Sequence, residues 1–351
     1  MRLLTIFALT YLFYSIFFNF LKELSFILEN HFHVYHFLLD HRIGGPHVYV
    51  DNFRQAMAGS IEAVVVTTGR GPMTEISLFN FRHFFYLLYP IEILLNICFI
   101  FFLVMTKKIK KKNAIFAVHG SANLAPIIAA RILRMPLVWH LHETTSRFKS
   151  FVNFGKVLLN NSPHALAVVA KKSNVVYGLQ NTAFLPGSVD PIFWSFEKVS
   201  SEEKQACKWL EKKESNKPLR LLAIGNLNPL KGMDILIDAL GGISSSCHLK
   251  IVGASLATHQ AYADCIYSKA ADITNKKKSI KVEFLGWQDK TDVRALLASC
   301  DIFILPSRSE ACPIVLLEAM SMQCTCLAAD VGDVSLMLKS YTKSFVFAAD
   351  S

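Results

Sequence analysis

Charge is scarce in this chain, and acid is scarcer than base. Of 351 residues only 18% are Asp, Glu, Lys or Arg, and 27 acids stand against 37 bases for a net charge of +10. No Asp-x-Asp pair occurs and no His/Cys cluster has metal-ligand spacing, so no metal centre is legible. The eight cysteines follow no disulfide framework and read as reduced, mostly buried thiols of a cytosolic compartment. Basic residues are not interleaved with aromatics and no recognition-helix pattern is present, which sets nucleic acid aside as a partner. Internal repeats and low-complexity stretches are also lacking, and the length suits two ordinary domains with sizeable cores.

What the chain has in abundance is apolar surface. It is 52% hydrophobic with 27 Phe, and its mean hydropathy is +0.34. Lys107, Lys108, Lys110, Lys111 and Lys112 form one basic run, and Lys276 to Lys278 another. Clustered Lys beside Phe-rich segments fits an anionic membrane surface. Residues 3–21 carry no charge and are long enough to span a bilayer; no small-residue cleavage site follows them. Residues 1–30 thus read as an apolar N-terminal extension: an anchor, a surface helix or a misassigned start. Residues 84–105 contain Pro90 and Glu92 and precede the Lys run. Were both segments to span, residues 22–83 and 107 onward would lie on opposite sides. The second segment is therefore expected as a buried or interfacial helix.

Beyond the extension, apolar strand patterns alternate with helix patterns. Strands are expected at 33–39, 63–67, 114–118, 136–143 and 165–169, with a helix at 122–133. Residues 196–218 turn polar and read as a hinge. Strands follow at 219–224, 248–253, 281–286, 301–307, 326–332 and 345–347. This alternation predicts doubly wound parallel sheets in two Rossmann-like domains, 31–195 and 219–351.

Glu310 and Glu318 stand eight positions apart, separated by an apolar run that opens a helix, with Pro313 suited to its first position. Glu310 falls before the helix and Glu318 a turn inside it. On spacing alone they are equally well read as solvated acids at a helix start. Beside a helix N-terminus that attracts anions, they also suit a site for sugar and ribose hydroxyls next to a diphosphate. Lys231, after a Gly/Asn/Pro loop and at a helix start, is the best candidate cation for that diphosphate, and Gly232 permits close backbone approach. Gly44 and Gly45 follow the first strand and can offer backbone N–H groups to phosphates.

The Glu310–Glu318 segment is similar to the E-x7-E signature of glycosyltransferase family 4, the retaining group 1 glycosyltransferases of GT-B fold. Residues 224–232 resemble that family's G-R-L…K-G donor loop, 185–190 its N-G-V-D turn, and 42–47 its Gly-rich loop; the matches run in order over roughly residues 33 to 350. The resemblance implies two Rossmann-like domains facing a cleft, the second binding a nucleotide-diphosphate sugar. It assigns Glu310 to the donor sugar and Glu318 to the ribose. Gly44, Gly45, Gly225, Asn226 and Lys231 complete the donor site. His119 matches the histidine near the sugar, and His142 and Glu143 fall on the acceptor side. It implies a metal-independent hexosyltransferase-like enzyme without a cofactor, acting on a glycan or lipid-linked acceptor in lipopolysaccharide or other cell-surface polysaccharide synthesis. The expected location is the cytoplasmic face of the inner membrane, peripheral or held by a single N-terminal anchor.

Three departures bear on activity. Asn226 stands where the family has Arg. Gln323-Cys324-Thr325 replaces Gly-x-Pro. The chain ends at Ser351, before the helices that cap the family's second domain, so the C-terminus is expected as truncated. A non-catalytic remnant that binds nucleotide or membrane is the alternative reading. A GT-B epimerase is a further rival, disfavoured by E-x7-E.

Overall fold

The computed structural model describes residues 32–39, 45–57, 61–70, 73–80, 89–159, 165–180, 182–207, 209, 218–255 and 257–349. The N-terminal extension and Gly44 lie outside this set. The chain forms two compact units, dividing at Ser188/Val189.

The first unit contains β1 (Phe32–Leu38), α1 (Gly45–Ala56), β2 (Ile61–Thr68), β3 (Ile76–Leu78), α2 (Tyr89–Met105), β4 (Ala114–His119), α3 (Leu124–Leu133), β5 (Leu137–Leu141), α4 (Lys149–Leu159), β6 (Ala165–Val168), α5 (Lys171–Tyr177) and β7 (Ala183–Phe184). Its strands run parallel in the order β3-β2-β1-β4-β5-β6-β7. Phe37, Phe116, Trp139 and Leu141 fill the core beneath the helices. Strands buried on both faces explain why their sequences are continuous apolar runs rather than alternating ones.

The second unit contains α6 (Ser201–Ala206), β8 (Leu219–Ile224), α7 (Met233–Leu240), β9 (Cys247–Val252), α8 (Gln260–Lys276), β10 (Ile280–Gly286), α9 (Lys290–Ser299), β11 (Ile302–Leu305), α10 (Ile314–Ser321), β12 (Thr325–Ala329), α11 (Val334–Leu338) and β13 (Ser344–Phe347). Its parallel sheet has the order β10-β9-β8-β11-β12-β13. Both units are thus Rossmann-like.

Several boundaries differ from the sequence reading. The two-residue β7 and three-residue β3 were not expected. The first part of the expected polar hinge packs into the second unit: Ser200 and Glu203 form a capping box on α6, and Arg294 donates to Glu203 Oε1 at 2.7 Å. Helix α3 starts at Leu124 rather than 122, because Asn123 turns its amide back onto the Phe37 carbonyl at 3.0 Å. Pro313 is the N-cap of α10, with ψ 111 in the extended region, so the helix begins at Ile314. Gln323 retains the left-handed turn, with φ 59, that the resemblance associates with glycine. An L side chain there costs about 1–2 kcal/mol but leaves the turn in place.

Candidate functional site

In the second sheet the strand order reverses between β8 and β11, and such switch points open a crevice at the strands' carboxyl ends. The loops after these two strands carry Lys231 and Glu310. The β8 loop is held by Asn228, whose side chain accepts from Leu230 N–H at 3.0 Å. Gly232 then takes φ +62 and caps α7; a Cβ there would lie 2.0 Å from the Pro306 carbonyl oxygen. Arg308 N–H donates to the Leu230 carbonyl at 2.8 Å, so the two loops are bonded together. On the far side, Gly332 (φ +56) lets the β12 turn close on the backbone of Glu310 and Ala311, where a Cβ would approach both carbonyls to 2.4 Å.

The result is a compact charged group. Lys231 Nζ donates to Glu310 Oε1 at 2.6 Å, and Ser307 Oγ donates to the same oxygen at 2.8 Å. The Glu310 side chain is 11% exposed and the Lys231 side chain 29%. Gly225 lies beneath the Lys231 stem. The Asn226 side chain makes no hydrogen bond among the described residues. Arg308 does not replace the missing arginine: it forms a two-pronged pair with Asp234, both contacts at 2.7 Å. That pair, with the Tyr262 hydroxyl, holds the Asp234 carboxyl down to about 2.

Glu318 lies on α10 and is not bonded to this group. Its carboxyl makes no hydrogen bond among the described residues, and burial pushes it up to about 7 against a weak opposing field from Lys290. A carboxylate left desolvated and unbonded is suited to accepting ligand hydroxyls.

The first sheet reverses between β1 and β4, and histidines gather there. His119 ends β4 and is bonded at both ring nitrogens: Nε2 to His36 Nδ1 at 3.0 Å and Nδ1 to His142 Nε2 at 2.9 Å. His140 stacks on His119 with ring centroids 4.6 Å apart, and Tyr49 packs against His119, His140 and His142. Burial, reinforced by mutual repulsion, holds His119 well below the usual range. His36 and His142 fall to about 3 and His140 to about 4. The cluster is therefore neutral at pH 7. His36 Nε2 is buried without a hydrogen bond. Leaving a lone pair rather than an N–H there makes His36 the donor to His119 and His119 the donor to His142. His142 then carries its proton on Nδ1.

Glu143 turns its carboxylate onto the Ser121 N–H, at 3.1 and 3.3 Å, and clamps the turn after β4. Gly45 opens α1. Among the described residues no group of three or more His, Cys, Asp or Glu is arranged to hold a metal ion. Sequence reasoning missed His36, His140, Tyr49 and Ser307. His36 in β1 and His140 in β5, histidines set inside largely apolar strands, are the signals that could have found the cluster.

Residues 207–351 match the family model of group 1 glycosyl transferases. An uncharacterized glycosyltransferase of Methanocaldococcus jannaschii is 30% identical over 111 residues, 32% of this chain and 28% of that protein. The UDP-Gal:alpha-D-GlcNAc-diphosphoundecaprenol alpha-1,3-galactosyltransferase of Escherichia coli is 29% identical over 83 residues, 24% of this chain and 20% of that protein. The matches thus span 28% or less of the length of these curated relatives. Among solved structures, Anabaena HepE with UDP and glucose superposes with TM-score 0.72 at 18% identity, covering 92% of this chain and 87% of that one. Sucrose-phosphate synthase of Thermosynechococcus elongatus gives 0.69 at 15%, covering 91% and 86%. The fold is GT-B.

Proposed function

We propose that the chain is a retaining, metal-independent glycosyltransferase that moves a hexose from a nucleotide-diphosphate sugar to a glycan or lipid-linked acceptor. The reading belongs to cell-surface polysaccharide or lipopolysaccharide synthesis at the cytoplasmic face of the inner membrane. The observation that carries it is the Lys231–Glu310–Ser307 group at the switch point of the second sheet, inside the segment that matches group 1 glycosyl transferases.

In such a transfer the bond from sugar C1 to the diphosphate oxygen breaks and its electron pair leaves with the nucleoside diphosphate. A bond from C1 to an acceptor hydroxyl oxygen forms on the same face, and the hydroxyl proton passes to the leaving diphosphate. Charge develops on that diphosphate, and Lys231 is the cation to meet it. Glu310 holds the ammonium and orients sugar hydroxyls; Glu318 accepts from the ribose. In the first unit, His119 is assigned to the donor sugar, His142 and Glu143 to the acceptor side, and Gly44 and Gly45 to the donor phosphates. HepE was solved with UDP and glucose, and the E. coli relative is named for UDP-Gal and a diphosphoundecaprenol acceptor, so UDP-hexoses are the first donors to test.

The test is donor hydrolysis and transfer with a panel of UDP- and GDP-sugars. Lys231→Ala should lower kcat about 10² to 10³-fold. Glu318→Ala should chiefly weaken donor binding. Asn226 favours a second reading, a nucleotide-binding remnant without transfer, because its amide brings no charge to the diphosphate. Nucleotide binding without turnover of any donor would establish that reading instead.

A further inference from the structure

Helix α2 is apolar on its outward face as well as its inward one, and its two polar side chains face inward. Its buried residues are Glu92, Asn96, Ile100 and Leu103. Asn96 is consumed there, accepting from Phe79 N–H at 2.8 Å and donating to the Phe79 carbonyl at 3.1 Å. The outward face reads Ile91, Leu94, Leu95, Cys98, Phe102 and Met105, with Leu94 61% and Met105 81% exposed. A surface helix ordinarily shows the opposite arrangement. This stripe runs the length of a 17-residue helix, about 25 Å.

Two further observations say what covers it. The helix ends at Met105, two residues before Lys107 takes φ 58, and Lys107, Lys108, Lys110, Lys111 and Lys112 are all exposed. Helix α3 packs on α2 and α4 on α3, and they expose Ile132, Phe154 and Val157 beside Arg131 and Arg134. Across residues 89–159 there are ten Lys and Arg against two Glu, and both Glu are turned inward. The exposed Lys run that follows the stripe, with Arg131 and Arg134 exposed at the end of α3, would meet like charge in a second copy. A bilayer with anionic headgroups satisfies both features at once. No helix among the described residues is long and apolar enough to cross a membrane, and the opposite face of α2 is committed to the core.

We propose that α2 is a monotopic docking surface: it lies in the plane of an anionic lipid interface, apolar stripe in the acyl boundary and the Lys run on the headgroups. This does not rest on the transfer reading. The test uses the full chain with an environment-sensitive fluorophore on Cys98, in the middle of the stripe. The same labelling of Cys98→Ser supplies the background from other thiols. With phosphatidylglycerol/phosphatidylcholine vesicles the Cys98 signal should shift to the blue and be quenched by lipids carrying a quencher within the acyl chains. Pure phosphatidylcholine should give little shift, and 0.5 M salt should reverse most of it. Lys107→Gln/Lys108→Gln/Lys111→Gln should lower vesicle partitioning about tenfold or more, and Leu94→Gln/Phe102→Gln should abolish the quenching. The proposal is overturned if the chain floats with vesicles while Cys98 stays unquenched, which would assign binding to another segment. It is equally overturned if Cys98 is already shielded without lipid in a concentration-dependent way, which would make the face a contact between copies.

Discussion

Glu318 is the residue whose chemistry is most open to measurement. Its carboxyl sits near pH 7 because burial penalises the anion and no hydrogen bond repays it. Ribose hydroxyls donating to it would favour the anion and lower its pKa, so binding must expel a proton near pH 6.5–7 and strengthen as pH rises through 7. Calorimetry of nucleoside binding in buffers of different ionisation enthalpy should show fractional proton release for the wild type and none for Glu318→Gln. Equal release in both would assign the proton elsewhere. The sequence exposed Glu310, Glu318 and Lys231 through spacing and loop chemistry. It could not show that Lys231 and Glu310 bond directly, nor that Arg308 is spent on Asp234, because both pairs join residues more than 70 positions apart.

At the scale of elements, most strands were legible because buried parallel strands are short apolar runs between turn residues. β3 and β7 were missed because two or three residues carry no periodicity. The histidine cluster was missed for a different reason: His36, His119 and His140 come from three strands whose adjacency depends on sheet order. Close approach of elements is similarly invisible in sequence. Helix α4 crosses Trp139 at Gly155, where a Cβ would lie 2.3 Å from the indole ring. Trp139 is fully buried and its indole N–H donates to the Gly120 carbonyl at 2.9 Å, so the ring cannot retreat. Gly155→Ala should therefore lower stability by about 1–3 kcal/mol by overpacking, although alanine gains about 1 kcal/mol in helix propensity. Urea unfolding midpoints measure the balance, and a neutral or stabilising outcome would show that α4 shifts freely.

For the whole molecule, the two units should respond differently to acid. His36 and His140 are held near 3 and 4, below the ordinary 6.5 of an unfolded histidine. The unfolded state thus binds more protons, so stability is intact above pH 6.5 and declines as pH falls from 6.5 toward 4. At pH 5 each such histidine costs about 2 kcal/mol. Among the described residues of the second unit, His248 is the comparable group, held near 4. Hydrogen-exchange protection in β1, β4 and β5 should fall more steeply between pH 7 and pH 5 than in β8, β9 and β11. Equal loss in both units would mean the histidines do not govern acid stability.

The central claim is that the second unit binds a nucleoside diphosphate through Lys231. Its most direct measurement is calorimetric titration of the full chain with UDP and GDP, each against its parent nucleoside. For the matching base, the diphosphate should bind at least tenfold more tightly than the nucleoside, about 1.4 kcal/mol. That difference should largely disappear in Lys231→Ala, while nucleoside affinity stays unchanged. Equal affinity for nucleotide and nucleoside in the wild type, or an undiminished difference in Lys231→Ala, would contradict it.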